Sequence, residues 1–123
     1  MTWAERFQAR GSALCVGLDP VRERLPAGLG LGEFCEAVVG LVAEWAACFK
    51  VNAAFFERHG PEGMEAFARV LGLVREMGMP VIADAKRGDI AATAKAYAAA
   101  YFGGPFDADA VTVNPSLGLD TVA

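Results

Sequence analysis

The sequence has 123 residues, with 11 Lys and Arg against 15 Asp and Glu and a formal net charge of −4. Hydrophobic residues make up 54% and charged residues 21%, which excludes a disordered tail and provides the core of one small domain, residues 1–123. The acidic balance argues against nucleic acid as the main ligand, since phosphate backbones are bound by excess Lys and Arg; a small anion needs only a local group of cations.

The longest run without a charge, Ala96 to Phe106, falls far short of the ~20 apolar residues that cross a bilayer. No membrane span is expected. Cys15, Cys35 and Cys48 show neither C-x-x-C nor zinc-type spacing, so no metal is expected. Each lies in an apolar stretch and reads as a small buried hydrophobe, which suits a reducing cytoplasm.

In chain order, a short helix is predicted from Thr2 to Arg10. Arg6 and Arg10 before Gly11–Leu18 faintly mimic a signal peptide, but the apolar run is short and Asp19-Pro20 replaces a small-residue cleavage site. A buried strand explains the run better. Strand-type runs then recur at Ala13–Gly17, Ala47–Val51, Val81–Ala85 and Ala110–Asn114, with starts 34, 34 and 29 residues apart. Between them Phe34, Val38, Leu41, Val42 and Trp45 share one helical face, as do Met64, Phe67, Leu71 and Val74. The alanine-rich stretch Ile90–Tyr101 favours helix intrinsically. Gly78 and Pro80 stop the second long helix.

Strand, helix, strand at this period is the βαβ unit of a parallel sheet, and strands without polar alternation suit a sheet covered on both faces. Two α/β architectures fit about four such units: an open doubly wound sheet of flavodoxin type, or the first half of a (β/α)8 TIM barrel. Leu119–Ala123 resembles a helix start that does not develop, and the expectation is a chain cut within the fourth unit.

In parallel α/β folds, sites form at the carboxyl ends of strands. Asp19 follows the first run, Lys50 and Asn52 end the second, Asp84, Lys86 and Asp89 end the third, and Asn114 and Ser116 end the fourth. Asp84 and Lys86 are two apart, so in an extended chain they point the same way as Ile82. An acid and an ammonium on a sheet of Val, Ile and Ala cost on the order of several kcal/mol per ion in desolvation. Lys50 alone could be a lysine that guards a sheet edge. Four charges at neighbouring strand ends, alternating Lys50, Asp84, Lys86, Asp89, are better read as a site.

Asp84-Ala-Lys-Arg-Gly-Asp-Ile90, continuing to Thr93, resembles the signature of the orotidine 5′-phosphate decarboxylase family. So do Val16–Pro20, Phe49–Glu57 and Val111–Pro115, in the wording of its longer bacterial and mycobacterial branch. Sugar-phosphate decarboxylases and aldolases of the same superfamily share D-x-K-x-x-D, but carry a magnesium-holding acid on the second strand, where this chain has Lys50. The resemblance implies the N-terminal half of a decarboxylase barrel that converts orotidine 5′-phosphate to uridine 5′-phosphate without metal or cofactor. It implies Lys86 as proton donor to C6, Asp84 facing the substrate carboxylate, Lys50 holding Asp84 and reaching the ribose, and Asp19 on the ribose hydroxyls, with Asn52 beside the substrate. Asp89, Ile90 and Thr93 would complete the site of a partner subunit in a homodimer. Ser116 stands where a bulkier residue is common, and the family's phosphate grip, from the last strands of the barrel, has no counterpart here.

Three further features read as ordinary. Gly28–Gly32 does not fit G-x-G-x-x-G and is expected as a loop. His59 beside Gly60-Pro61 is expected to be solvent-exposed, and Asp107 and Asp109 to be solvated. Trp3, Trp45, Phe55 and Phe56 are expected to pack in the interior. A non-enzymatic phosphoacceptor of flavodoxin type is the other class, but it requires a fifth strand ending in lysine and leaves Lys50 and Lys86 unexplained.

Overall fold

The computed structural model describes residues 1–122. Helix α1 (Trp3–Ala9) starts at a capping box, in which Thr2 and Glu5 satisfy each other's backbone N–H groups. The parallel strands are β1 (Cys15–Leu18), β2 (Cys48–Asn52), β3 (Val81–Arg87) and β4 (Ala110–Val113). Between them lie α2 (Leu31–Val42), the single turn α3 (Ala54–Glu57), α4 (Gly60–Glu76) and α5 (Ala91–Tyr101). Short 3-10 turns occupy Arg22–Arg24, Pro115–Leu117 and Leu119–Thr121; Ala123 of the expected unfinished helix lies outside the described residues.

Strand order decides between the two architectures. The sheet runs β1-β2-β3-β4, every neighbour parallel and sequential. A doubly wound sheet reverses direction at a switch point, whereas a barrel adds each strand to the same side. The chain is four βα units in half-barrel order.

One face of the sheet is packed. Leu18, Phe49, Val51, Val81 and Ala83 meet Cys35 and Val39 of α2 and Phe67, Val70, Leu71 and Val74 of α4 in one buried cluster. The face of α4 is as expected; that of α2 is as expected for Phe34, Val38 and Val42, which pack against the cluster, and is corrected for Leu41 and for Trp45 just beyond the helix. Leu31, Cys35 and Val39 point inward, while Leu41 is 72% and Trp45 59% exposed. Helical period ran the stripe on through Leu41 towards Trp45, whereas the inward face is centred on Leu31, Cys35 and Val39, and Trp45 lies beyond the end of α2. Phe56 is buried and Phe55 half-buried, and Trp3 stacks on Phe7 with centroids 5.3 Å apart.

The other face is open, which corrects the expectation of two covered faces. Cys15 and Gly17 of β1 are exposed there; Cys35 and Cys48 are buried as expected, and Cys15 is not. At the amino ends of the strands, α1 is latched on. Arg6 pairs with Asp109, while Arg10 donates to the carbonyls of Ala43 (2.5 Å) and Ala46 (3.1 Å). Asp109, expected to be solvated, has only 6% of its side chain exposed and also accepts the Val81 N–H at 2.9 Å. Asp107 pairs with Arg75. His59 is half-buried ahead of α4, with its Nε2 unpartnered, and not the exposed loop residue expected.

Candidate active site

The polar residues converge where β2, β3 and β4 end on the open face. Cross-strand register places Lys50 beside Ile82 and Asn52 beside Asp84. Side chains on alternate positions share a face, so Lys50, Asp84 and Lys86 meet. Lys50 Nζ donates to Asp84 Oδ2 at 2.9 Å and Lys86 Nζ to Asp84 Oδ1 at 2.6 Å. A third donor is Thr112 on β4, whose Oγ1 lies 2.9 Å from the same Oδ1. These donors cover the carboxylate so well that Asp84 is only 8% exposed on an otherwise open face.

Burial alone would raise the Asp84 pKa. The bonds from Lys86, Lys50 and Thr112, with the charge of Lys50, outweigh it and hold the group down to about 2. The hydrogen bond to Asp84 in turn raises the pKa of Lys50. The site therefore presents a fixed carboxylate between two ammonium groups. Lys86 is the more exposed end: two-thirds of its side chain is open, against one-third for Lys50.

The backbone here is unusual. Lys86 has φ +52°, a left-handed conformation that costs a non-glycine residue roughly 1–3 kcal/mol unless its surroundings hold it. The β3–β4 register shifts between Ala83 and Arg87, and the Lys86 N–H donates to Thr112 Oγ1 at 3.0 Å. Beyond it the Asn114 N–H donates to the Arg87 carbonyl at 2.8 Å. Gly88 allows this close approach, because a Cβ there would fall 2.5 Å from the Asn114 carbonyl oxygen. Arg87 leaves the site, pairing with Glu57 and lying 5.6 Å from the Tyr97 ring centroid.

The remaining expected residues are arranged less tightly. Asp89 does not join the charge array: its Oδ1 accepts the Ile90 N–H at 2.8 Å, and it forms no ion pair among the described residues. Ile90, 58% exposed, caps α5, and Thr93 is exposed on the first turn. Asn52 Oδ1 accepts the Ala54 N–H at the start of α3. Asp19 is exposed just after β1. Ser116 is bound to Asn114, which accepts both its N–H and its hydroxyl. Thr112 is the residue that sequence reasoning missed. The only local signal was a polar side chain inside the apolar run Ala110–Val113, which is ordinary for a threonine in a strand. Among the described residues no group of three or more His, Cys, Asp or Glu is placed to hold a metal ion. None of their helices is long and apolar enough to cross a membrane.

The sequence profile of the orotidine 5′-phosphate decarboxylase / HUMPS family matches residues 12–123. The chain belongs to that family. Among curated relatives, an orotidine 5′-phosphate decarboxylase of Roseiflexus sp. is 47% identical, over 90% of this chain and 42% of the relative. One from Clostridium perfringens is 39% identical, over 96% of this chain and 44% of its own length. The chain thus spans under half the length of the curated relatives it matches. The solved structure of Leishmania donovani OMP decarboxylase superposes with a TM-score of 0.86 at 42% identity, covering 99% of this chain and 48% of that one. A Streptomyces avermitilis structure described as a possible orotidine 5′-phosphate decarboxylase gives 0.87 at 36% identity, over 98% and 46%. In these family members the four units seen here are part of a longer barrel.

Proposed function

We propose that this chain carries the proton-transfer half of an orotidine 5′-phosphate decarboxylase, a step in making uridine 5′-phosphate. The observation that supports it is the Asp84 carboxylate held between the Lys50 and Lys86 ammonium groups at the carboxyl end of adjacent strands. In this reading the orotate carboxylate is brought against Asp84. The C6–carboxylate bond breaks, carbon dioxide leaves, and the electron pair stays on C6. Lys86 Nζ then gives its proton to C6 and recovers one from water. An ammonium already fixed beside the carbon that becomes negative needs no reorganisation at the moment of reaction. Lys50 holds Asp84 in place and reaches the ribose, with Asp19 and Asn52 nearby on the sugar. The reading calls for no metal and no organic electron sink.

Asp89, Ile90 and Thr93 are assigned to a second subunit's site. Their exposure at the start of α5, and the absence of Asp89 from this chain's own charge array, support that assignment to a homodimer. The three free cysteines accord with a cytoplasmic setting.

The test combines the chain with the matching remainder of the Roseiflexus relative and measures carbon dioxide release from orotidylate. The expected result is turnover that Lys86→Ala abolishes while binding of a product-like nucleotide persists. A folded assembly that binds nucleotide but releases no carbon dioxide, or one that keeps more than a few per cent of activity without Lys86, would overturn the reading.

A further inference from the structure

We propose that Thr112 is a positioning residue, whose one hydroxyl ties the Asp84 carboxylate to the backbone turn that carries Lys86. Two bonds meet on that oxygen and a third joins their far ends. It donates to Asp84 Oδ1 at 2.9 Å, it accepts the Lys86 N–H at 3.0 Å, and Asp84 Oδ1 also receives the Lys86 ammonium at 2.6 Å. The bonds form a closed ring: Lys86 backbone to Thr112, Thr112 to Asp84, Asp84 to the Lys86 side chain. Closing it fixes the ammonium relative to its own main chain.

The ring forms where the strand needs it. Lys86 is left-handed and the β3–β4 register slips across it, so a side-chain oxygen meets an N–H that a regular parallel ladder would give to a carbonyl. A hydroxyl has one hydrogen to give and lone pairs to accept with, and both functions are used. A valine would fill the same space in the strand and serve neither bond. Strand propensity alone therefore does not account for threonine here.

The proposal rests on the decarboxylase reading for what Lys86 does, but its test uses no substrate, so the two can fail separately. The Asp84 carboxyl is titrated by carbon-detected NMR in the 123-residue chain, with the Lys86 amide followed in parallel. In Thr112→Val the Asp84 midpoint is expected to rise from about 2 by about one unit, as one of three donors to the charged form is lost. The Lys86 amide should exchange faster with solvent. Thr112→Ser should restore both. Thr112→Ala is the second hydroxyl-free variant should valine disturb the fold. A folded hydroxyl-free variant that titrates Asp84 like the parent overturns the proposal, and so does a serine variant that restores neither readout. Loss of the fold in both Val and Ala variants would make Thr112 a structural residue and overturn it as well.

Discussion

Asp84 sets the electrostatics of the site, and its charge is linked to stability. Its folded pKa, about 2, lies below the ordinary 3.8. The folded state therefore binds the proton less tightly than the unfolded chain does. The stabilisation is full above about pH 4 and is lost as pH falls through about 2, and a shift of this size corresponds to roughly 2 kcal/mol. Urea unfolding followed across that window should show the loss, and Asp84→Asn should flatten it. An unchanged slope in the Asn variant would assign the acid sensitivity elsewhere. The thiols give a second residue-scale expectation. Burial pushes Cys35 up to about 12; burial and the contact with Cys15 do the same to Cys48. Cys15 is exposed on the open face. Iodoacetamide at mildly alkaline pH should label Cys15 first, with the other two protected until denaturant is added, as peptide mass spectrometry would read. Equal labelling of Cys48 would contradict the burial of β2.

At the scale of elements, the junction of β3 with β4 carries the site, and Gly88 holds the two strand ends together. Gly88→Ala should push the Asn114 carbonyl away, since the new Cβ would lie 2.5 Å from its oxygen. The expected cost is about 1–3 kcal/mol, read as a lower urea midpoint. Gly72 is the control: it lies inside α4, and a Cβ there would meet nothing within 4 Å. At that position alanine should stabilise by about 0.5–1 kcal/mol through helix propensity. If both variants shift the midpoint alike, the close approach at Gly88 is not what limits the junction. The contrast also explains what the sequence showed of each helix. In α4 polar and apolar residues alternate with helical period, and its buried face was readable. In α2 the apolar arc is broader: Phe34, Val38 and Val42 pack at its margin as read from the sequence, and packing against the sheet centred it on Cys35 and Val39.

For the whole molecule, the open sheet governs behaviour. β1 and β4 are both edge strands, and unpaired edges recruit further strands. The face bearing Lys50, Asp84 and Lys86 is open to water, whose high dielectric weakens charge interactions beyond the direct contacts. Contacts to the non-reacting phosphate end of a nucleotide, which enzymes use to stabilise the transition state, have no assigned residues in this chain. The 123-residue chain alone should therefore release no useful carbon dioxide from orotidylate, and sedimentation should show self-association that grows with concentration. Activity within tenfold of the Roseiflexus relative at matched concentration would refute this expectation.

Local chemistry was legible without coordinates. The strand period and the position of each strand end follow from the recurrence of apolar runs, and a spacing of two residues on one strand put Asp84 and Lys86 on one side. Lys50 was also within reach of inference, since adjacent βα units bring their strand ends together. Two matters depended on contacts between residues far apart in sequence. Strand order separated the half barrel from the doubly wound sheet. The slip between β3 and β4 brought Thr112 to Asp84 and turned Lys86 left-handed, which no glycine announced. Asp89 turned its carboxylate to the Ile90 N–H at the start of α5, outside the array that its place in the sequence had suggested. Period and charge are properties of neighbouring residues, whereas register and strand order are chosen by the packing of the sheet against α2 and α4, and only the folded chain expresses that choice.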